Sequence, residues 1–540
     1  MNQSKLVEKE NSKADLIGQK IDQNDIDDQS SNDQSSELPT AEFIKAWLID
    51  HLSKTLEIAP EKIDETTVLD RYGLDSLAAT VLTGDLADWL GFDVEFTLFY
   101  DYPTISAVAT YLEENLKAEN QVDTTEISQS HSPINLSKEV VLDPELTYGE
   151  RKYLLPKETQ TIFLTGSTGF LGAFLLAKLL KQTQAEIYCL VRAENLDSGH
   201  HRIRENLTFY RLWEIEFSHR VKPILGDLAQ TNFGLSADQF QSLAEHVEVI
   251  YHGGALLNYI YSYEQLKPIN VIGTQEVLRL ASIGLPKLLH YISSTAVFDY
   301  HRIAYGQPRV NERTSLNCTE GMYLGYSQSK WVAEKLVHIA MERGLIAHIY
   351  RPGFIGGHSQ TGIVNHQDII WRLINGSIQM GCIPEMDMEL TVNPIDQVSQ
   401  NIVALSRHNW PSSEIFHLTP PPHLSWNNLG HLIQDYGYPI QSLPLEQWLG
   451  RLEQIAISEA TNPLYPLLPF FLKRWSFEQL TMLELMQLRK SPQIDCQETL
   501  NKLDQITQSN PTYPTGRDLW HAHFDYLINQ GVLSRPNSKV

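Results

Sequence analysis

The stretch Thr161-Ile-Phe-Leu-Thr-Gly-Ser-Thr-Gly-Phe-Leu-Gly172, continued by Ala173 to Leu180, decides how the chain is read. An apolar run bounded by Thr161 and Thr165 meets glycines at 166, 169 and 172, and then a segment with helical apolar spacing. This order predicts a strand, a tight turn and a helix. Glycines in such a turn let backbone approach a pyrophosphate, whose charge meets free N–H groups and the positive end of the helix. Thr165, Gly166, Ser167, Thr168, Gly169, Phe170, Leu171 and Gly172 therefore form a candidate dinucleotide cradle. A strand-to-helix turn with no ligand is the alternative.

The flanking pattern supplies the setting that such a turn needs. Strand-like segments at 162–165, 186–191, 221–226, 247–252, 288–293 and 347–350 alternate with helical stretches such as 275–283 and 328–341. This predicts an α/β fold with a parallel, doubly wound sheet. The core of that sheet spans about 158–358, with returning segments, and a mostly helical substrate subdomain follows over about 360–535. Within the latter, Leu464-Tyr-Pro-Leu-Leu-Pro-Phe-Phe471, with Trp475 and Phe477, reads as core packing or as the wall of an acyl channel.

Upstream the composition changes twice. Residues 1–38 are rich in Asp, Gln, Ser and Asn and poor in aromatics, which predicts a disordered tail. From 39 to 117, apolar residues recur at helical spacing (Phe43, Trp47, Leu48 and Leu52), and Thr104 follows Pro103 as a helix cap. This is a small all-α bundle. Tyr72-Gly-Leu-Asp-Ser76-Leu-Ala78 lies at its centre, and Ser76 there is either a plain helix cap or a modified serine whose phosphate faces a helix N-terminus. Asp85 and Asp88 read as a solvated face or as aids to docking. The polar residues 118–137 read as a flexible linker, which would keep a tethered group concentrated near a second site.

Composition bounds the rest. A chain of 540 residues exceeds the size at which single cores stop growing, so more than one domain is expected. The formal net charge of -24 argues against nucleic acid or an anionic membrane as a general partner. Cys189, Cys318, Cys382 and Cys496 are scattered without ligand spacing, so neither a disulfide framework nor a metal site is expected. His521 and His523 stand without acidic or cysteine company and do not change this. No apolar run reaches the length of a membrane span, and the reading is a reducing, cytoplasmic setting.

Several later residues converge on carbonyl chemistry. Past the second strand, no acidic residue stands where a ribose 2'-hydroxyl would be bound; Arg192 stands there instead and can pair with a 2'-phosphate, favouring NADPH. Arg202 is a second candidate for that anion. Asp227 and Leu228 follow the third strand, where the carboxylate can accept from an adenine amine. Gly254 and Ala255 follow the fourth, where small residues permit close approach. Tyr326 and Lys330 share a helix face at i and i+4, so the ammonium can lower the phenol's pKa and hold a ribose. Tyr291-Ile-Ser-Ser-Thr-Ala-Val297 ends the preceding strand.

Two resemblances follow from these residues. The span around Gly73-Leu-Asp-Ser-Leu77 resembles an acyl or peptidyl carrier domain, which implies that Ser76 bears a 4'-phosphopantetheine arm. The glycine turn, the Ser-Ser strand end and Tyr326-x-x-x-Lys330, in that order, resemble the extended short-chain dehydrogenase/reductase superfamily. That likeness implies a catalytic set of Ser294, Tyr326 and Lys330, with Thr295 the neighbouring alternative to Ser294 and Asn270 supporting the lysine through water. Within the superfamily, Leu190-Val-Arg-Ala193, Gly273-Thr-Gln-Glu-Val-Leu278, Tyr350-Arg-Pro-Gly353 and Trp371-Arg-Leu-Ile374 resemble the terminal thioester reductases of nonribosomal peptide and polyketide synthases and of carboxylic acid reductases, over about 138–535. Pro352 joins the cofactor-binding set on that likeness. Gly253 and Phe354 depart from the family's usual Asn and Arg.

The resemblance implies NADPH-dependent release of a tethered acyl thioester, fatty, polyketide or peptidyl, as an aldehyde, with onward reduction to an alcohol left open. A phosphopantetheinyl transferase and an acyl-loading ligase or upstream synthase module are the implied partners, since no loading motif precedes the carrier segment. A nucleotide-sugar epimerase or dehydrogenase, or a non-catalytic carrier that senses the cofactor, is the alternative.

Overall fold

The computed structural model describes residues 39–536, except 57, 68, 73–81, 84, 88, 91–93, 95–97, 103, 120–133, 150–158, 300–308, 421–423, 459–461, 465–466, 473, 475–479, 489–491 and 508–515. The expected tail, Ser76, Asp88, most of the expected linker, Trp475 and Phe477 lie outside these residues.

β1 (Thr161–Thr165) leads through the glycine turn into α1 (Phe170–Gln182). The chain continues through β2 (Glu186–Val191), α2 (Leu196–Phe209), β3 (Val221–Leu225), α3 (Ala237–His246), β4 (Val249–His252), α4 (Gly273–Ser282) and β5 (Leu288–Ile292). It then runs through α5 (Gly325–Glu342), β6 (Ile346–Pro352), α6 (Ile369–Met380), α7 (Ile395–Ser406) and β7 (Glu414–Leu418). These seven strands form one parallel sheet in the order β7-β6-β5-β4-β1-β2-β3. The central strands β1, β4 and β5 are almost wholly buried, as a sheet with helices on both faces requires. α1 and α7 bury Leu175, Leu179, Ile402 and Leu405 on one side, while α4 and α5 bury Val277, Leu280, Val332 and Leu336 on the other.

The doubly wound expectation holds, and the six expected strands fall within two residues of the observed ones. The seventh, β7, went unpredicted: Glu-Ile-Phe-His-Leu is short and carries a charge and an imidazole. Strand order reverses between β1 and β4, where Thr165 pairs with His252. In open α/β sheets that switch point is where a crevice opens at the carboxyl ends of the strands.

The chain beyond α5 does two things. α7 and β7 complete the sheet, and the rest, including α6 and the helices Trp426–Tyr436, Leu468–Leu472 and Met482–Leu488, packs over the crevice mouth. Within the upstream segment, helices Ala41–Leu56 and Ile105–Glu119 bury Ile44, Leu48, Leu52, Val108, Leu112 and Leu116 together. Thr104 caps the second helix, its Oγ1 accepting from Ala107 N at 3.2 Å. Asp85 pairs with His51 at 3.0 Å, so this carboxylate is held within the bundle's own surface.

Candidate active site

The glycine turn is shaped by backbone contact. Gly166 has φ +82°, and a Cβ there would lie 2.8 Å from the main chain of Gly253 and Gly254. A Cβ at Gly172 would lie 1.8 Å from the Gly166 carbonyl oxygen, so α1 can start against the turn only as glycine. The β1 and β4 loops therefore touch along bare backbone, directly above the switch point.

A cavity of about 840 Å³ extends from this turn. It brings together most of the expected residues: Gly166, Thr168, Gly169, Phe170, Leu171, Gly172, Arg192, Arg202, Asp227, Leu228, Gly254, Ala255 and Pro352, with Ser294, Thr295, Tyr326 and Lys330. Gly253 and Phe354, the two departures from the family pattern, line it as well. Arg202 donates to the Arg192 carbonyl at 2.7 Å, and both arginines line the cavity past the end of β2. Burial and the neighbouring Arg192 charge both lower the Arg202 pKa. Two like charges at one rim suit an anion with more than one negative charge, as a 2'-phosphate is. The bare-backbone turn and this arginine pair fit an NADP-type dinucleotide.

Thr165 and Ser167 take no place in the lining, contrary to expectation. Both side chains are buried away from the cavity. Thr165 Oγ1 accepts from Gly254 N at 2.9 Å and bonds His252 Nδ1 at 2.7 Å. His252 Nε2 bonds Thr274 Oγ1 at 3.0 Å, and Thr274 donates to the Asn270 carbonyl. Donor counting along this chain gives His252 a neutral ring with its proton on Nε2. Burial, with Lys330 nearby, pushes its pKa down to about 3, in keeping with that form. Thr165 thus ties β1 to β4 with its side chain.

Ser294 and Tyr326 meet across the cavity wall. Ser294 Oγ accepts from Ala296 N at 3.1 Å, and both Ser294 and Tyr326 line the cavity. Burial pushes the phenol up to about 12, and the Ser294 hydroxyl works against this shift. Ser294, rather than Thr295, is the hydroxyl that lowers the tyrosine's pKa.

Lys330 is anchored at the end of β5. Its Nζ donates to the Ile292 carbonyl at 2.8 Å and lies 4.5 Å from the Tyr291 ring centre. Burial pushes the ammonium down to about 7, with Glu334 opposing. Asp299 and Asp368 add to the upward push of burial on Tyr326.

Asn270 also differs. It sits in a π-helical turn, Pro268–Ile272, and its amide donates to the Leu256 carbonyl at 3.0 Å and to Ser329 Oγ at 2.9 Å, while its oxygen accepts from Leu256 N. Both amide protons are spent on holding the loop after β4 to the helix that bears Tyr326 and Lys330. The expected water link to the lysine cannot use either of them.

Three features escaped the sequence reading. Asp299 and Asp368 line the cavity near Tyr326, and burial pushes their carboxyls up to about 7 and about 6. Behind the site, Glu334 takes a bidentate hold on Arg351 and accepts from Ser293, while Arg351 Nη1 bonds His417 Nε2 at 3.1 Å. Burial alone would push the Glu334 carboxyl up; Arg351 and His338 overcome this and hold it well below the usual range. The i, i+4 spacing of Lys330 and Glu334 is the one sequence signal that pointed toward this network. Away from the site, His523 is buried against Trp371 with Nδ1 3.3 Å from the Gly362 carbonyl. No group of metal-ligating side chains occurs among the described residues.

Comparison with known proteins agrees with this geometry. The profile described as "Male sterility protein" matches residues 164–402, and that described as "Phosphopantetheine attachment site" matches 46–112, a span that includes Ser76. A linear gramicidin synthase from Brevibacillus parabrevis is 38% identical over 71% of this chain, which spans only 8% of that protein. The crystal structure of the terminal R domain from the myxalamid PKS-NRPS biosynthetic pathway is 37% identical with a TM-score of 0.68, over 74% of this chain and 99% of that one. A thiolation-reductase di-domain from an archaeal non-ribosomal peptide synthetase shares the fold, with a TM-score of 0.59 at 21% identity over 91% of this chain and 98% of that one. The chain therefore belongs to the family of terminal reductase domains of polyketide and nonribosomal peptide pathways, with a phosphopantetheine-attachment domain preceding the reductase in sequence.

Proposed function

We propose that the protein is an NADPH-dependent thioester reductase that releases an acyl group carried on its own phosphopantetheine arm, attached at Ser76. The single observation that carries this reading is the Ser294–Tyr326 hydroxyl pair facing a cavity that runs on from the glycine turn and the arginine pair. When bound, NADPH supplies the hydride. Gly166, Gly169 and Gly172 would receive its pyrophosphate, Arg192 and Arg202 its 2'-phosphate, and Asp227 and Leu228 its adenine end. The hydroxyls of Tyr326 and Ser294 would hold the thioester carbonyl oxygen and stabilise the charge that develops on it, with Tyr326 giving its proton. Lys330, buried at the end of β5, would grip the ribose.

The carrier part is assigned to 39–117 and the reductase to 138–535, with the intervening residues as the tether. A phosphopantetheinyl transferase and an acyl-loading ligase or upstream synthase module are the implied partners. The phosphopantetheine-attachment match disfavours a nucleotide-sugar epimerase, which has no use for such a site. The hydroxyl pair argues against a non-catalytic sensor. No helix among the described residues is long and apolar enough to cross a membrane.

The test is to offer the purified protein an acyl-pantetheine thioester with NADPH and to identify the products. Consumption of NADPH with release of aldehyde or alcohol is expected. Intact thioester and unspent NADPH would contradict the proposal.

A further inference from the structure

The cavity has two chemically distinct ends. Near Ser294 and Tyr326 it is polar. Beyond them it is walled by Met386, Met388, Met486, Phe470, Phe471 and Leu483, drawn from the segments that pack over the crevice mouth. Three of the chain's eight methionines meet there. Methionine is unbranched and polarizable, so a wall built from it moulds to a straight hydrocarbon.

Several polar groups lining the cavity already have partners. Asn365 Oδ1 accepts from Gln367 N at 3.3 Å, and Asp368 Oδ1 caps α6 by accepting from Ile370 N at 3.2 Å. The Trp426 indole N–H donates to the Pro384 carbonyl at 2.7 Å. Asp299, nearer the tyrosine, accepts from the Ser327 hydroxyl. A peptide carried into this end would bring amides that lose water and find few partners on a wall of methionine, phenylalanine and leucine. An ammonium would find no carboxylate among the methionine, phenylalanine and leucine side chains of this wall; Asp299 and Asp368 stand nearer Tyr326, where burial pushes their pKa values up.

We propose that this distal half is an acyl-chain site for an unbranched aliphatic chain, so that the tethered substrate is a fatty-acyl or fully reduced polyketide thioester rather than a peptidyl or aminoacyl one. The proposal rests on the reductase reading for its substrate but not for its site. Two arms keep them apart. In the first, S-alkyl pantetheine thioethers, which cannot be reduced, are titrated by calorimetry. Kd should fall about fourfold per added methylene from butyl to octyl. A flat series overturns the site whatever the enzyme does. In the second, alkanoyl-, dipeptidyl- and ω-aminoacyl-pantetheine thioesters compete for NADPH-dependent reduction. The alkanoyl series should lead in kcat/KM by at least about tenfold. Equal or better turnover of the peptidyl or amino compounds overturns the proposal. Alkyl binding without reduction of any thioester would uphold the site and refute the reductase reading. Met486→Trp, or Met388→Gln if the first does not fold, should weaken the octyl thioether more than the butyl one; equal weakening counts against the site.

Discussion

The side chain of Ser294, at the carboxyl end of β5, lines one cavity with Tyr326, in the first turn of α5, and lowers that phenol's pKa against the effect of burial. This pair joins a strand end to a helix start at the polar end of the cavity, and it is the chemical focus of the proposed function.

Removing the phenol should abolish chemistry but not binding. Tyr326→Phe is expected to lower kcat by about 10²- to 10⁴-fold. Ser294→Ala should cost about 10²-fold, and Thr295→Ala little, because of the two only Ser294 acts on the tyrosine's pKa. NADPH titration followed by fluorescence should give unchanged affinity in all three. Equal losses for Ser294→Ala and Thr295→Ala would put the hydroxyl assignment in error.

The arginine pair predicts coenzyme choice. Arg192→Ala should raise the Kd for NADPH by about 10- to 100-fold, the worth of a charge-assisted bond, while leaving NADH nearly unaffected. Parallel losses for both coenzymes would mean that Arg192 acts through the fold rather than on the 2'-phosphate.

Two neighbouring glycines should behave differently. A Cβ at Gly172 would lie 1.8 Å from the Gly166 oxygen, whereas one at Gly169 meets nothing closer than 3.4 Å. Gly172→Ala should therefore unfold the turn, whereas Gly169→Ala should keep the fold and weaken NADPH binding, because its Cβ would stand where the pyrophosphate approaches. Thermal melts with and without NADPH read the difference.

The buried Glu334–Arg351 pair predicts a pH signature. Glu334 is held below its ordinary value of 4.5, so its contribution to stability is present above about that pH and is lost as pH falls through the lower folded value. Arg351→Met leaves the carboxylate buried without its guanidinium and should cost about 3–5 kcal/mol near neutrality. The gap in unfolding free energy between the two proteins should narrow in acid. A constant gap from neutral to acid pH would show that packing, not charge, sets the loss.

Much of this was legible in the sequence, because local pattern and local geometry coincide there. The glycine turn, six strands and the shared helix face of Tyr326 and Lys330 depend on near neighbours along the chain. What escaped depends on pairing across it. Thr165 turns inward because β4 sets His252 opposite it, a register that no local pattern reveals. Asn270 lies in a π-helical turn, which shifts the phase of the side chains after it and sends its amide to Leu256 and Ser329. Lys330 finds a strand carbonyl before it finds the tyrosine. Asp299 and Asp368 come from separate segments that only the folded chain brings to one cavity. Ser76, read from its motif alone, lies outside the described residues, and its assignment rests on the family match.

The most direct measurement is intact-protein mass spectrometry of the chain after phosphopantetheinylation and loading with a decanoyl group, before and after NADPH is added. The account predicts that the acyl mass sits on Ser76, disappears with NADPH to leave the holo arm, and reappears in solution as decanal or decanol. An acyl mass that survives NADPH in the wild-type protein, or one that leaves equally fast from Tyr326→Phe, would contradict it.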